Sequence, residues 1–220
     1  MSLEIDSQPP AAYLNLCASL AAHGAQTGIT LELGGLARVL AASRPGGVFL
    51  CLGQGAGEMA TWIVDGMDLS ARLVVVVAND ADAGVLGALL GDDLRVTVHV
   101  QDAIDFLRDV RDHRFDLITD LDPGHPAELA RLALGRLALG AFYLSRHTTD
   151  ELTEVLGTAS PDDGESGDRA ATLVCAQLAT EPAISLVVHG PQRFQAKRRG
   201  GRRARQGVTP LFSTRSRRGR

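Results

Sequence analysis

FLCLGQGAGEMATWIVDGMD, residues 49–68, sets a short apolar run directly before a glycine-rich turn and a helix-spaced segment. The run VFLCL (48–52) is short and apolar throughout, as a strand covered on both faces is. Beyond the turn Gly53-Gln54-Gly55-Ala56-Gly57-Glu58, the residues Met59, Trp62, Ile63 and Met67 fall on one side of a helix. Strand, glycine turn and helix together form the unit that holds a small-molecule cofactor at the carboxyl edge of a doubly wound sheet. The turn argues against two ligand classes. A dinucleotide fingerprint needs glycine at its sixth place, where the pyrophosphate nears the helix N-terminus, and Glu58 puts an anion there. No Gly-Lys-Ser/Thr follows, so the P-loop pattern fails as well. What the turn suits is a ligand with an uncharged or zwitterionic part lying over the backbone.

Outward from this unit the chain alternates. Strands are expected at RLVVVVA (72–78), RVTVHV (95–100), RFDLITD (114–120) and GAFYLS (140–145). Helices are expected between them at 81–90, 103–110 and 126–138, the last opening on Pro126, and another at 148–157. ATLVCAQLA (171–179) and AISLVVHG (183–190) are joined by TEP without a helix, so they should pair antiparallel. SPDDGESGD (160–168) has no apolar residue and reads as a surface loop. Upstream, 11–24 and 30–47 read as two helices, the second stopped by RPGG. The expected fold is α/β: a doubly wound, seven-stranded, mostly parallel sheet with a C-terminal antiparallel hairpin.

A chain of 220 residues accommodates one well-cored domain, expected over 1–190, with a loose start at 1–12 and helices within 13–46. The net charge of −4 conceals a division. Residues 191–220 hold 11 of the 22 basic residues and none of the 26 acidic ones, so residues 1–190 carry −15. This arginine-rich tail is expected to be disordered. Its Arg-Gly-Gly-Arg stretch fits phosphates of a nucleic acid, acidic lipid headgroups or an acidic partner, and equally fits a solvated appendage. Cys17, Cys51 and Cys175 are odd in number and lack metal-type spacing, which points to thiols in a reducing compartment, the cytoplasm. No apolar run reaches membrane-spanning length, and MSLEIDSQPP lacks a secretory pattern.

GGVFLCLGQGAGEMATWIVDGMD, RLVVVVANDAD, VTVHVQDAIDFL and FDLITDLDPGH occur in an order and spacing that resemble the class I S-adenosylmethionine-dependent methyltransferases. The likeness is to the small bacterial O-methyltransferases akin to catechol O-methyltransferase, and it covers about Thr27 to His189. It implies S-adenosyl-L-methionine as cofactor, a Rossmann-like methyltransferase fold and, as in many relatives, a homodimer. It further implies that Gly53, Gln54, Gly55 and Gly57 run along the methionine part, with Asn79 and Asp80 near the ribose. Asp102 and Ala103 would then meet the adenine, and Asp120 would sit at the reacting end. His125 stands where many relatives carry lysine, and reads either as a catalytic proton acceptor or as a surface histidine ahead of the helix at Pro126. Two positions depart from the family: Cys51 and Ala78 stand where an acid is usual. Ser145, Arg146 and His147 replace the Asp-Asn pair of metal-dependent members, so no metal is expected. The implied activity is O-methylation of a small acceptor. The alternative is a catalytically silent protein of this fold, serving as a scaffold whose tail engages nucleic acid or a partner. Trp62 and His99 read as structural.

Overall fold

The computed structural model describes residues 8–22, 28–122, 124, 127–146, 152, 155, 172–177 and 185–190. Helices α1 (Ala11–Ala22) and α2 (Leu31–Ala42) precede the alternating part. This comprises β1 (Val48–Leu52), α3 (Ala56–Gly66), β2 (Arg72–Val77), α4 (Asp80–Leu90), β3 (Val96–Val100), α5 (Ala103–Asp109), β4 (Phe115–Asp120), α6 (Ala127–Leu134) and β5 (Leu137–Ser145). Strands β6 (Thr172–Gln177) and β7 (Ser185–Gly190) close the sheet.

The seven strands lie in the order β3-β2-β1-β4-β5-β7-β6. β1 pairs in parallel with both β2 and β4, and β7 runs antiparallel to β5 and β6. Because strand order reverses beside β1, the turn after it opens at the switch point, where doubly wound sheets bind ligands. The hairpin and the mostly parallel sheet are those expected from the sequence.

Alternation along β1 builds two cores. Phe49 and Cys51 face the layer of α1–α4, while Leu50 and Leu52 face α5 and α6. All four are at most 1% exposed, which is why the run lacks a polar residue. In the first layer, Trp62 is completely buried between α2 and α3. Tyr13 tilts against its ring at 5.3 Å, and the Arg38 guanidinium lies 5.3 Å from the ring centroid.

The α6–β5 boundary differs from expectation. The helix expected over 126–138 ends at Leu134, and β5 begins at Leu137. Gly135 and Arg136 turn the chain, with their N–H groups donating to Arg131 and Ala133 carbonyls. The pairing of β4 with β5 then shifts between Phe115 and Leu117, and Gly140 takes a φ of 80° within this irregularity. Helix α1 spans Ala11–Ala22, as expected for 11–24. Leu152 and Val155 are helical and buried, as expected for 148–157. His125, the rest of 148–157, the loop 160–168 and the tail 191–220 lie outside the described residues.

Gly34 is the tightest point between α2 and α3: a Cβ there would sit 2.3 Å from Trp62 Cε2. Alanine would gain about 1 kcal/mol of helix propensity but force overpacking worth about 1–3 kcal/mol against an indole with no room to swing. Gly34→Ala should therefore lower stability, by up to about 2 kcal/mol. Urea unfolding followed by the fluorescence of the single tryptophan measures this, and an unchanged or raised midpoint would contradict the packing described.

Candidate functional site

The turn after β1 owes its shape to two glycines. Gly53 and Gly55 adopt φ of 68° and 79°, a left-handed conformation that costs other residues roughly 1–2 kcal/mol each. Gly53 N–H donates to the Val76 carbonyl at 3.2 Å, tying the turn to β2, and Gly55 N-caps α3. Gly57 packs closely, since a Cβ there would meet Leu86 of α4 at 3.0 Å.

Two cavities of about 270 Å³ each adjoin at this turn. The first is floored by Gly53, Gln54, Gly55 and Gly57, roofed by Leu16 and Leu20 of α1, and walled by Val77, Asp82, Val85 and Leu86. The second lies between Gly28, Ile29, Leu121 and Arg146. Gln54, Gly55 and Glu58 line both.

Glu58 is the residue whose role sequence reasoning missed. It is only 7% exposed, and its carboxylate accepts the Gly28 N–H at 2.9 and 3.0 Å and the Ile29 N–H at 3.1 Å. It thus pins the segment entering α2 onto the first turn of α3, where a negative charge is also favoured by the helix dipole. Burial pushes its carboxyl above the usual range, against the opposing pull of the two N–H groups and of Arg146. An acid just behind a glycine turn was the available signal, but its partners lie about 30 residues upstream.

The four glycine-turn positions expected to hold a ligand do come together in the first cavity. Asn79, Asp80, Asp102 and Ala103 sit at the carboxyl ends of β2 and β3 without lining either cavity. Asn79 caps α4: its Oδ1 accepts the Asp82 N–H at 2.9 Å, and its Nδ2 donates to Asp82 Oδ2 at 3.0 Å. This arrangement sets Asp82, which sequence reasoning passed over, into the cavity wall. Its signal was an Asn followed three places on by an acid, a variant of the capping box. Asp102 is exposed and caps α5, accepting from the Ile104 and Asp105 N–H groups at 2.9 and 3.0 Å. Asp80 and Ala78 are exposed, and Ala103 is buried.

Asp120, at the end of β4, is completely buried and accepts the Tyr143 hydroxyl at 3.1 Å. Burial, with the Asp120 charge beside it, pushes the Tyr143 phenol well up, so it remains a neutral donor. Cys51 lies in the α1–α4 core rather than in either cavity. Burial pushes its thiol up to about 12, opposed by a hydrogen bond with Thr119, its neighbour across the β1–β4 pairing. Trp62 is core, and His99 is exposed on β3 with its ring 5.3 Å from Phe106. Among the described residues, no three His, Cys, Asp or Glu side chains come together as a metal ligand set, and no helix is long and apolar enough to cross a membrane.

Solved structures share this architecture. The O-methyltransferase TomG from Streptomyces achromogenes, involved in tomaymycin synthesis and crystallised with SAM, is 18% identical with a TM-score of 0.61, over 84% of this chain and 92% of that one. A methyltransferase from Geobacter sulfurreducens is 15% identical with a TM-score of 0.62, over 84% and 92%. The O-methyltransferase from Bacillus cereus, in complex with SAH, is 17% identical with a TM-score of 0.60, over 84% and 94%. The chain has the class I methyltransferase fold. No family model and no curated protein matches the sequence.

Three expectations follow from the buried groups. Glu58→Ala leaves the Gly28 and Ile29 N–H groups without their acceptor and should cost roughly 1–3 kcal/mol in denaturant unfolding. Glu58→Gln isolates the charge. A carboxyl raised in the folded state lends stability that is complete below its unfolded value, near 4.5, and that fades as pH rises through the raised one. The Gln variant lacks this loss, so its stability relative to wild type should improve between pH 4 and pH 7; a constant difference would mean Glu58 does not titrate as described. At pH 8 the Cys51 thiolate fraction is on the order of one in ten thousand, so iodoacetamide should label Cys51 only after unfolding. Peptide mass spectrometry before and after adding urea reads this directly.

Proposed function

We propose that the chain is an S-adenosylmethionine-dependent methyltransferase acting on an oxygen of a small acceptor. The observation that carries this reading is the first cavity: a floor of two left-handed glycines at the switch point, under the apolar roof of Leu16 and Leu20. Its volume lies just under the roughly 300–1,000 Å³ of small-molecule sites. The mix of bare backbone, apolar wall and a carboxylate at Asp82 fits a cationic nucleoside better than a phosphate. The solved structures with SAM or SAH bound add support through the shared fold.

In this reading Gly53, Gln54, Gly55 and Gly57 hold the methionine part against the backbone. Asp82, braced by Asn79, takes the place of the acid missing at Ala78, with Asp80 beside it. Asp102 and Ala103 border the adenine. The cofactor supplies a methyl group on a positively charged sulfur, and the transfer needs mainly alignment of the acceptor and removal of one proton. Asp120 provides a fixed buried carboxylate beneath this edge, and His125 is read as the proton acceptor. The α1 roof keeps water from the sulfur.

S-adenosylhomocysteine titrated calorimetrically into the full chain tests the proposal. Asp82→Ala should weaken that binding by about 10–100-fold, the loss of one charge-assisted contact. Binding by the wild type should also raise its melting temperature, since ligand at 100 times Kd contributes about 2.7 kcal/mol. No binding at millimolar ligand would favour the silent scaffold instead.

A further inference from the structure

The geometry points to the second cavity as an acceptor subsite in which Arg146 selects a substrate carrying a carboxylate. This rests on the methyltransferase reading above and names the acceptor class that reading leaves open.

Arg146 directly follows β5, at the carboxyl edge of the sheet. Its N–H donates to the Asp120 carbonyl at 3.1 Å, and its Nη2 to the Gly28 carbonyl, so both ends of the residue are fixed. The guanidinium is nonetheless underused. Its Nε is buried and has no hydrogen-bond partner, and it forms no ion pair among the described residues. A buried donor left unsatisfied is destabilising, and one that belongs to a cavity-lining side chain is a place for a ligand or an ordered water to bind. A planar guanidinium held at one end is preorganised for a carboxylate, which it grips through two parallel N–H groups.

The rest of the cavity sets the orientation. Glu58, the other charged group in the lining, has its oxygens engaged by Gly28 and Ile29, and its negative charge keeps an acid on the Arg146 side. Ile29 and Leu121 offer apolar contact to a carbon frame. Gln54 and Gly55 form the wall shared with the first cavity. An acceptor with its carboxylate on Arg146 directs its far end toward that shared wall. A hydroxyl at that end is the atom to be methylated. At about 270 Å³ the cavity suits a single-ring hydroxy acid rather than a larger substrate.

The probes are 4-hydroxybenzoate and its neutral counterpart 4-hydroxybenzamide, titrated into the full chain with and without S-adenosylhomocysteine. Arg146→Gln should bind the acid about 10–100-fold more weakly than wild type and the amide equally well. If Arg146→Gln does not fold, Arg146→Lys, which keeps the charge but removes the fork, carries the same comparison. Wild type that does not bind the acid at millimolar concentration, or variants that bind it equally, would overturn the assignment. So would a variant that loses S-adenosylhomocysteine but retains 5′-methylthioadenosine, because the carboxylate held would then be that of the methionine end. If neither protein binds S-adenosylhomocysteine while the acid still discriminates between them, the carboxylate site stands and the methyltransferase reading falls.

Discussion

One carboxylate holds the site together. Glu58 stands in the first turn of α3 and accepts two consecutive backbone N–H groups from the segment that leads into α2. Helices α1 and α2 come before the sheet in sequence and must be brought over its carboxyl edge. Packing around Trp62 joins α1 and α2 to α3 but does not fix where Gly28 and Ile29 cross the glycine turn. The Glu58 clamp does. It separates the turn's surroundings into a cavity under α1 and a cavity beside Arg146, and it forms part of the wall of each.

The sheet sets the surroundings of position 51. Along β1, odd residues face the α1–α4 core, so a carboxylate at 51 would be wholly buried in this chain. A thiol bonded to Thr119 is compatible with that environment, and burial holds it neutral. The negative charge near the turn is instead carried by Glu58 and Asp82, both of which reach cavity walls.

Much of this fold was legible because its signals are local. VFLCL and RLVVVVA are apolar on both faces since helices cover both, and the missing helix between 179 and 183 announces the antiparallel pair. The α6–β5 boundary was not legible, because LALG suits a helix as well as a strand and only pairing with β4 decides it. The glycine floor could be read from spacing. The walls could not, because they depend on contacts between distant residues: Glu58 meets Gly28 across 30 positions, and Arg146 meets Gly28 across 118. Asp102 shows the opposite case, where a residue type fits two roles and the structure displays the local one, a helix cap.

Gly28 is where these long-range contacts converge. Its N–H goes to Glu58 and its carbonyl to Arg146, so a single residue links α3, the end of β5 and the entrance to α2. A Cβ at Gly28 would meet nothing within 4 Å, which means the position is chosen neither for tight packing nor for an unusual turn. What matters there is the backbone itself, whose two polar groups hold an acid and a base apart. Held apart, the two charges attract without forming an ion pair, and the guanidinium keeps an unused donor. A direct Glu58–Arg146 pair would have satisfied both groups and left the second cavity without its charged anchor.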